Sequence, residues 1–141
     1  MFPPSTRVLI VDDMRTIRAV MKQAFNDLGF KNVAEAKDGA AAWTMIEESL
    51  ANGLPYGLIM SDWAMPIITG VQLLKKVRGE ERTKDIPFIM VTAETETHLV
   101  KEAISSGVSN YVTKPFTLDM IRDKVESVHK AVLKKAAGNK A

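Results

Sequence analysis

Apolar residues recur along this chain in two rhythms. Five short runs, Arg7–Val11 (RVLIV), Val33–Ala36 (VAEA), Leu58–Ser61 (LIMS), Phe88–Thr92 (FIMVT) and Asn110–Thr113 (NYVT), predict strands. The first, third and fourth are nearly continuous in apolar residues, as strands covered on both faces must be. The second and fifth are shorter and more polar and read as sheet edges. Between them lie stripes at spacings of three and four: Met14, Ile17, Met21, Phe25 and Leu28; Trp43, Ile46 and Leu50; Val71 and Leu74; Leu99, Ala103 and Ile104. The last, Leu118, Ile121, Val125, Val128 and Val132, is the most regular. Each stripe is the buried face of a helix. Gly29 and Gly107 follow helices as left-handed caps would, and Thr69 with Gln72 forms a capping box ahead of the third helix.

Strand–helix alternation without a long linker implies an α/β fold, a parallel sheet with helices on both faces. Right-handed crossovers limit the topology. Three central strands flanked by two weaker edges fit the order 2-1-3-4-5, which spacing alone does not fix. A single domain is expected, with the tail after about Leu133 (KKAAGNKA) fraying.

Composition narrows the picture. At 141 residues, 46% hydrophobic and 26% charged, the chain can bury a core without staples. The absence of cysteine excludes disulfides, thiolate metal sites and a cysteine nucleophile. The net charge of +2 owes its sign to Lys130, Lys134, Lys135 and Lys140, which follow Val128 with no acidic residue among them. A basic helix end of this kind is a solvated face that suits the helix dipole. No aromatic interleaving or DNA-binding motif accompanies it, so no nucleic-acid partner is expected. The opening MFPPSTR lacks the apolar core of a secretion signal, and VLIV and FIMV are too short to cross a bilayer. A cytoplasmic protein without membrane contact is the expectation.

Candidate chemistry sits just past the strands. In an open α/β sheet every parallel strand points its C-terminal end at one rim, and ligands bind where the strand order reverses. Asp12 and Asp13 follow the first strand, Asp62 the third, Thr92 and Ala93 close the fourth, and Lys114 and Pro115 follow the fifth. Three carboxylates, a hydroxyl and an ammonium would thus converge. Two like charges 4 Å apart repel by roughly 4 kcal/mol at an effective dielectric near 20. Lys114 relieves part of this and a divalent cation would relieve more. All-oxygen ligands favour magnesium, calcium or manganese, and so sparse a set suits magnesium best. Such parts also handle a phosphoryl group, with Asp62 as its acceptor and Thr92 as a donor to one of its oxygens. Individually each residue has a plainer use: Asp12 and Asp13 as helix caps, Thr92 bonding backbone, Lys114 solvated, Tyr111 packed on an edge strand.

The segments Val11-Asp12-Asp13, SDWAMP around Asp62, VTAE at 91–94 and YVTKPFT at 111–117 resemble the receiver domains of two-component response regulators, and among them the single-domain chemotaxis regulators. The likeness spans roughly residues 6 to 133. It implies a flavodoxin-like, doubly wound (βα)5 fold with a five-stranded parallel sheet in the order 2-1-3-4-5, residues 134–141 as a short basic tail, and no output domain. It further implies that Asp62 is phosphorylated by a histidine kinase, with Mg2+ held by the Asp13 and Asp62 side chains and the Ala64 backbone carbonyl. Asp12 would assist mainly through water. Lys114 would contact the phosphoryl group across a cis peptide to Pro115, and Thr92 and Tyr111 would form the switch pair. The implied partners are the kinase, a phosphatase and a downstream protein such as the flagellar motor switch, met by a monomer. The implied chemistry is limited to the protein's own phosphorylation and dephosphorylation.

Two departures matter. Ala64 replaces an Asn found in well-known chemotaxis regulators, which bears on the dephosphorylation rate and leaves the backbone ligand in place. Thr69 replaces a common Asp ahead of Gly70. Competing readings are a phosphate sink or relay intermediate, and an aspartyl-nucleophile phosphatase. The last is disfavoured because Ala64 stands where the general acid would. A flavin carrier is disfavoured by a first loop poor in Ser, Thr and Gly.

Overall fold

The computed structural model describes the chain apart from Pro66, residues 94–96 and residues 139–141; it leaves the side chains of 97–99 and 138 undescribed. Ten elements alternate: β1 (Arg7–Val11), α1 (Arg15–Asp27), β2 (Asn32–Ala36), α2 (Gly39–Ala51), β3 (Leu58–Asp62), α3 (Gly70–Arg78), β4 (Phe88–Ala93), α4 (Thr97–Ser105), β5 (Asn110–Lys114) and α5 (Leu118–Gly138). The strands form one parallel sheet in the order β2-β1-β3-β4-β5, as the resemblance implied. No helix among the described residues is long and apolar enough to cross a membrane.

The near-continuous apolar strands are the central ones, because side chains alternate between two covered faces. Val8 and Ile10 of β1 join Met60, Val91, Met21, Phe25, Ile121 and Val125 on the face covered by α1 and α5. Leu9 and Val11 point the other way, toward Ile59, Met90, Ile46, Leu73, Leu74 and Val77 beneath α2 and α3. Burying each such large side chain contributes roughly 1.5–3 kcal/mol, which makes both layers necessary to the sheet. The helix punctuation is as read: Gly29 and Gly107 have φ of 96° and 93°. Thr69 Oγ1 accepts from the Gln72 amide at 3.3 Å while Gln72 Oε1 accepts from the Thr69 amide at 2.9 Å.

The structure corrects several expectations. Strands β3, β4 and β5 each run one residue further toward the rim, taking in Asp62, Ala93 and Lys114, and β2 begins one residue earlier at Asn32. The ladder persists there because neighbours still supply partners: the Trp63 amide donates to the Val91 carbonyl at 2.8 Å. Helix α5 does not fray after Leu133 but continues to Gly138. Lys134, Lys135, Ala136 and Ala137 are strong helix formers, and the Lys135 ammonium reaches Asp85 at 3.2 Å. Three residues assigned to buried stripes, Met14, Ile104 and Val132, are exposed. Nor do Asp12 and Asp13 cap α1; its N-cap is Met14, without a side-chain cap bond.

Candidate functional site

Register decides what meets at the rim. β1 and β3 are paired, with Val11 opposite Ser61, so the residues following Val11 stand beside Asp62. β4 pairs with β5 so that Ala93 faces Lys114. Three carboxylate oxygens, one each from Asp12, Asp13 and Asp62, lie within 4.8 Å of one another. The Lys114 ammonium stands 3.1 Å from Asp62 Oδ1 and 3.4 Å from Asp12 Oδ2. Carboxylates from two strand ends and a lysine from a third therefore share one small volume, as the sequence predicted.

Their environments differ sharply. Asp12 is wholly buried. Its Oδ1 accepts the Met14 amide at 2.8 Å, Oδ2 faces Lys114, its own amide donates to the Ala36 carbonyl at 3.2 Å, and its carbonyl accepts from Arg18 at 2.8 Å. Asp13, next in sequence, is exposed, and no group among the described residues donates to its carboxylate. Asp62 lies between these extremes. Burial, and then the negative charge of Asp12, push its carboxyl up to about 6 against the pull of Lys114. Burial acts on Lys114 in the opposite sense, but the carboxylates of Asp62 and Asp12 outweigh it and hold the ammonium above its usual range. The site thus sets three carboxyl groups against one ammonium.

Thr92 is buried and donates its hydroxyl to the Ala93 carbonyl at 2.9 Å. It is the strand residue beside Thr113, one step from the Ala93–Lys114 pair. Tyr111 is half-buried against the α2–α3 side of the core, with the Lys124 ammonium 5.2 Å from its ring centre. Ala64 is exposed on the loop two residues past Asp62. The Lys114–Pro115 peptide is cis.

Sequence reasoning missed three features. Gly70 presses the start of α3 onto β3: a Cβ there would lie 2.2 Å from the Asp62 carbonyl oxygen and 2.8 Å from the Met90 sulfur. Ile67, 83% exposed, holds a φ of 69°, a conformation that a β-branched residue rarely adopts. Arg18 of α1 links Glu35 of β2 to the Asp12 carbonyl. The one hint of this last bond was a lone charge, Glu35, inside the β2 segment NVAEA.

The residues present fit a hard divalent cation. Three carboxylate oxygens within 4.8 Å of one another can converge on one ion, and their charge and all-oxygen character favour this class.

Residues 8–126 match the response regulator receiver domain family. Chemotaxis protein CheY of Pseudomonas aeruginosa is 41% identical over 126 residues, which cover 89% of this chain and 98% of that protein. Chemotaxis protein CheY1 of Helicobacter pylori is 39% identical, with 86% of this chain and 95% of that protein covered. Among solved structures, the chemotaxis response regulator CheY4 of Vibrio cholerae is similar with a TM-score of 0.77 at 30% identity, covering 88% of this chain and 98% of that one. The chain belongs to the response regulator receiver domain family, as a CheY-like regulator of the chemotaxis type in two-component signalling.

Proposed function

We propose that Asp62 accepts a phosphoryl group from the phosphohistidine of a histidine kinase and that the modified protein then binds a downstream partner. The supporting observation is the junction of the Asp12, Asp13 and Asp62 carboxylates with the Lys114 ammonium. An Asp62 oxygen attacks phosphorus, an O–P bond forms as the N–P bond breaks, and the departing imidazole nitrogen takes a proton from water. With its carboxyl at about 6, Asp62 is mostly ionised near neutral pH and available as the nucleophile. Lys114, held as the ammonium, offsets charge on the transferring oxygens.

Magnesium, when bound, supplies the remaining positive charge. Asp13 and Asp62 are the side chains free to hold it, with the Ala64 carbonyl as a backbone ligand. Both Asp12 oxygens already have partners, which leaves Asp12 to act mainly through water. Thr92 would redirect its hydroxyl from the Ala93 carbonyl to a phosphoryl oxygen, and the Tyr111 ring would move into the space released. The output is binding, for which the flagellar motor switch is the proposed target of a CheY-like chain. A phosphatase reading gains no support, because Ala64 offers no general acid two residues past the nucleophile.

Acetyl phosphate with magnesium chloride is expected to add one phosphoryl group to the wild-type chain by intact mass and none to Asp62→Asn. No gain in wild type, or an equal gain in Asp62→Asn, would refute the proposal. Capture of a partner only in the presence of beryllofluoride would identify the output, whereas capture of none would favour the phosphate sink.

A further inference from the structure

Arg18 and Glu35 form a polar bridge behind the acidic site. Arg18 sits in the second turn of α1 and its side chain is only 14% exposed. Its guanidinium donates through Nε to Glu35 Oε1 at 2.9 Å and through Nη1 to the Asp12 backbone carbonyl at 2.8 Å. Glu35 belongs to β2, where it is in register with Ile10 of β1, two residues before Asp12. Exposed ion pairs are usually worth little. This one differs because its cation is mostly buried and its second bond goes to backbone at the site itself.

The carbonyl of Asp12 and the amide of Asp13 belong to one planar peptide unit. Holding that carbonyl fixes the plane from which Asp13 departs. Asp12 needs little help, since its amide and both carboxylate oxygens are already tethered. Asp13 has no such tether among the described residues, so its direction depends on the peptide that precedes it. We infer that Arg18, clamped by Glu35, is a positioning residue for the cation site: it fixes the Asp12–Asp13 peptide and so aims the Asp13 carboxylate. The inference rests on the magnesium-binding reading above and assigns Arg18 no contact with the ion. Glu35 has a second task, because it neutralises a guanidinium that would otherwise repel a cation from the same site.

The sign of the effect separates positioning from simple charge. Removing a cation near a metal site tightens metal binding if charge alone matters, and loosens it if the lost bond matters more. Magnesium chloride titrations of the full chain, followed by fluorescence of Trp63 beside Asp62, read this directly. Arg18→Met is expected to weaken binding roughly tenfold, the scale typical of groups that orient metal ligands. Arg18→Lys should weaken it about threefold, because an ammonium lacks the planar fork that holds both partners. Glu35→Gln should also weaken it. At saturating magnesium, acetyl phosphate labelling of Arg18→Met should return to near the wild-type extent. Unchanged or tighter binding in Arg18→Met, with wild-type binding intact, would overturn the inference alone. A wild type that binds no magnesium would overturn the underlying reading as well. Should Arg18→Met fail to fold by circular dichroism, unchanged affinity in both Arg18→Lys and Glu35→Gln would overturn the inference in its place.

Discussion

Asp62→Asn should stabilise the metal-free protein, and by an amount that depends on pH. Burial and the Asp12 carboxylate lift the Asp62 carboxyl from 3.8 to about 6. At about 1.36 kcal/mol for each tenfold change in proton affinity, ionising it in the fold costs about 3 kcal/mol more than in the unfolded chain. Water and counter-ions at the open rim screen part of this, leaving about 1–2 kcal/mol. The attraction of Lys114 is already included in that balance, and in the variant Lys114 keeps its contact with Asp12 at 3.4 Å. Below about pH 4 the group is protonated in both states and contributes no difference. Between about 4 and 6 the folded protein holds a proton that the unfolded chain releases, so stability falls as pH rises. Above this window the full penalty applies. Urea denaturation with a chelator should therefore show the two proteins converging near pH 4 and Asp62→Asn ahead by about 1–2 kcal/mol near pH 7.5, or about 3–7 °C in Tm. Magnesium should narrow the gap by stabilising wild type selectively. A gap independent of pH, or a less stable variant at pH 7.5, would refute the reasoning.

Three further substitutions test the scaffold around the site. Gly70→Ala places a methyl 2.2 Å from the Asp62 carbonyl oxygen; a loss of about 2–3 kcal/mol in urea denaturation is expected, with slower acetyl phosphate labelling as the end of β3 shifts. Ile67→Asn relieves a φ of 69° at an exposed position, so Tm should rise, with a gain of about 1 kcal/mol. Arg78→Met removes a guanidinium that donates to the carbonyls of Lys84, Ile86 and Gly107 and to the Ser109 hydroxyl. Urea denaturation should show a loss of about 2–3 kcal/mol, because the loops entering β4 and β5 lose their shared anchor.

The parts of this fold that were legible in sequence are those set by burial alone. β1, β3 and β4 announce themselves because covering both faces leaves little room for polar residues until the strand nears the rim. Their ends were harder to read. Asp62 and Lys114 look like loop residues by type, yet the ladder carries them because parallel neighbours supply bonding partners to the last position. Ile104 fitted the spacing of a buried face and lies exposed, since a single apolar side chain gains nothing where no second layer covers it. The carboxylates of the site were legible because strand direction sends Asp12, Asp13 and Asp62 to one rim. The Arg18–Glu35 bond was not, because it joins α1 to β2 through side-chain reach across 17 positions. No local pattern records such a contact; it requires the strand order and the helix rotation together.

The same geometry explains why a costly arrangement can persist. An apolar replacement at Asp12 would avoid burying a charge, but the Met14 amide would then lose its acceptor inside the fold and Lys114 one of its two. Asp12 thus holds Lys114 at the spot where it also reaches Asp62 at 3.1 Å. Lys114 in turn keeps the Asp62 carboxyl from rising further than about 6. Without that ammonium the Asp62 carboxyl would rise further and a smaller share of it would be ionised at neutral pH; without Asp12, Lys114 would lose one of its two anchors and keep only its contact with Asp62. The buried aspartate therefore acts on Asp62 in two opposed ways: its charge raises the carboxyl, and its hold on Lys114 keeps in place the ammonium that lowers it.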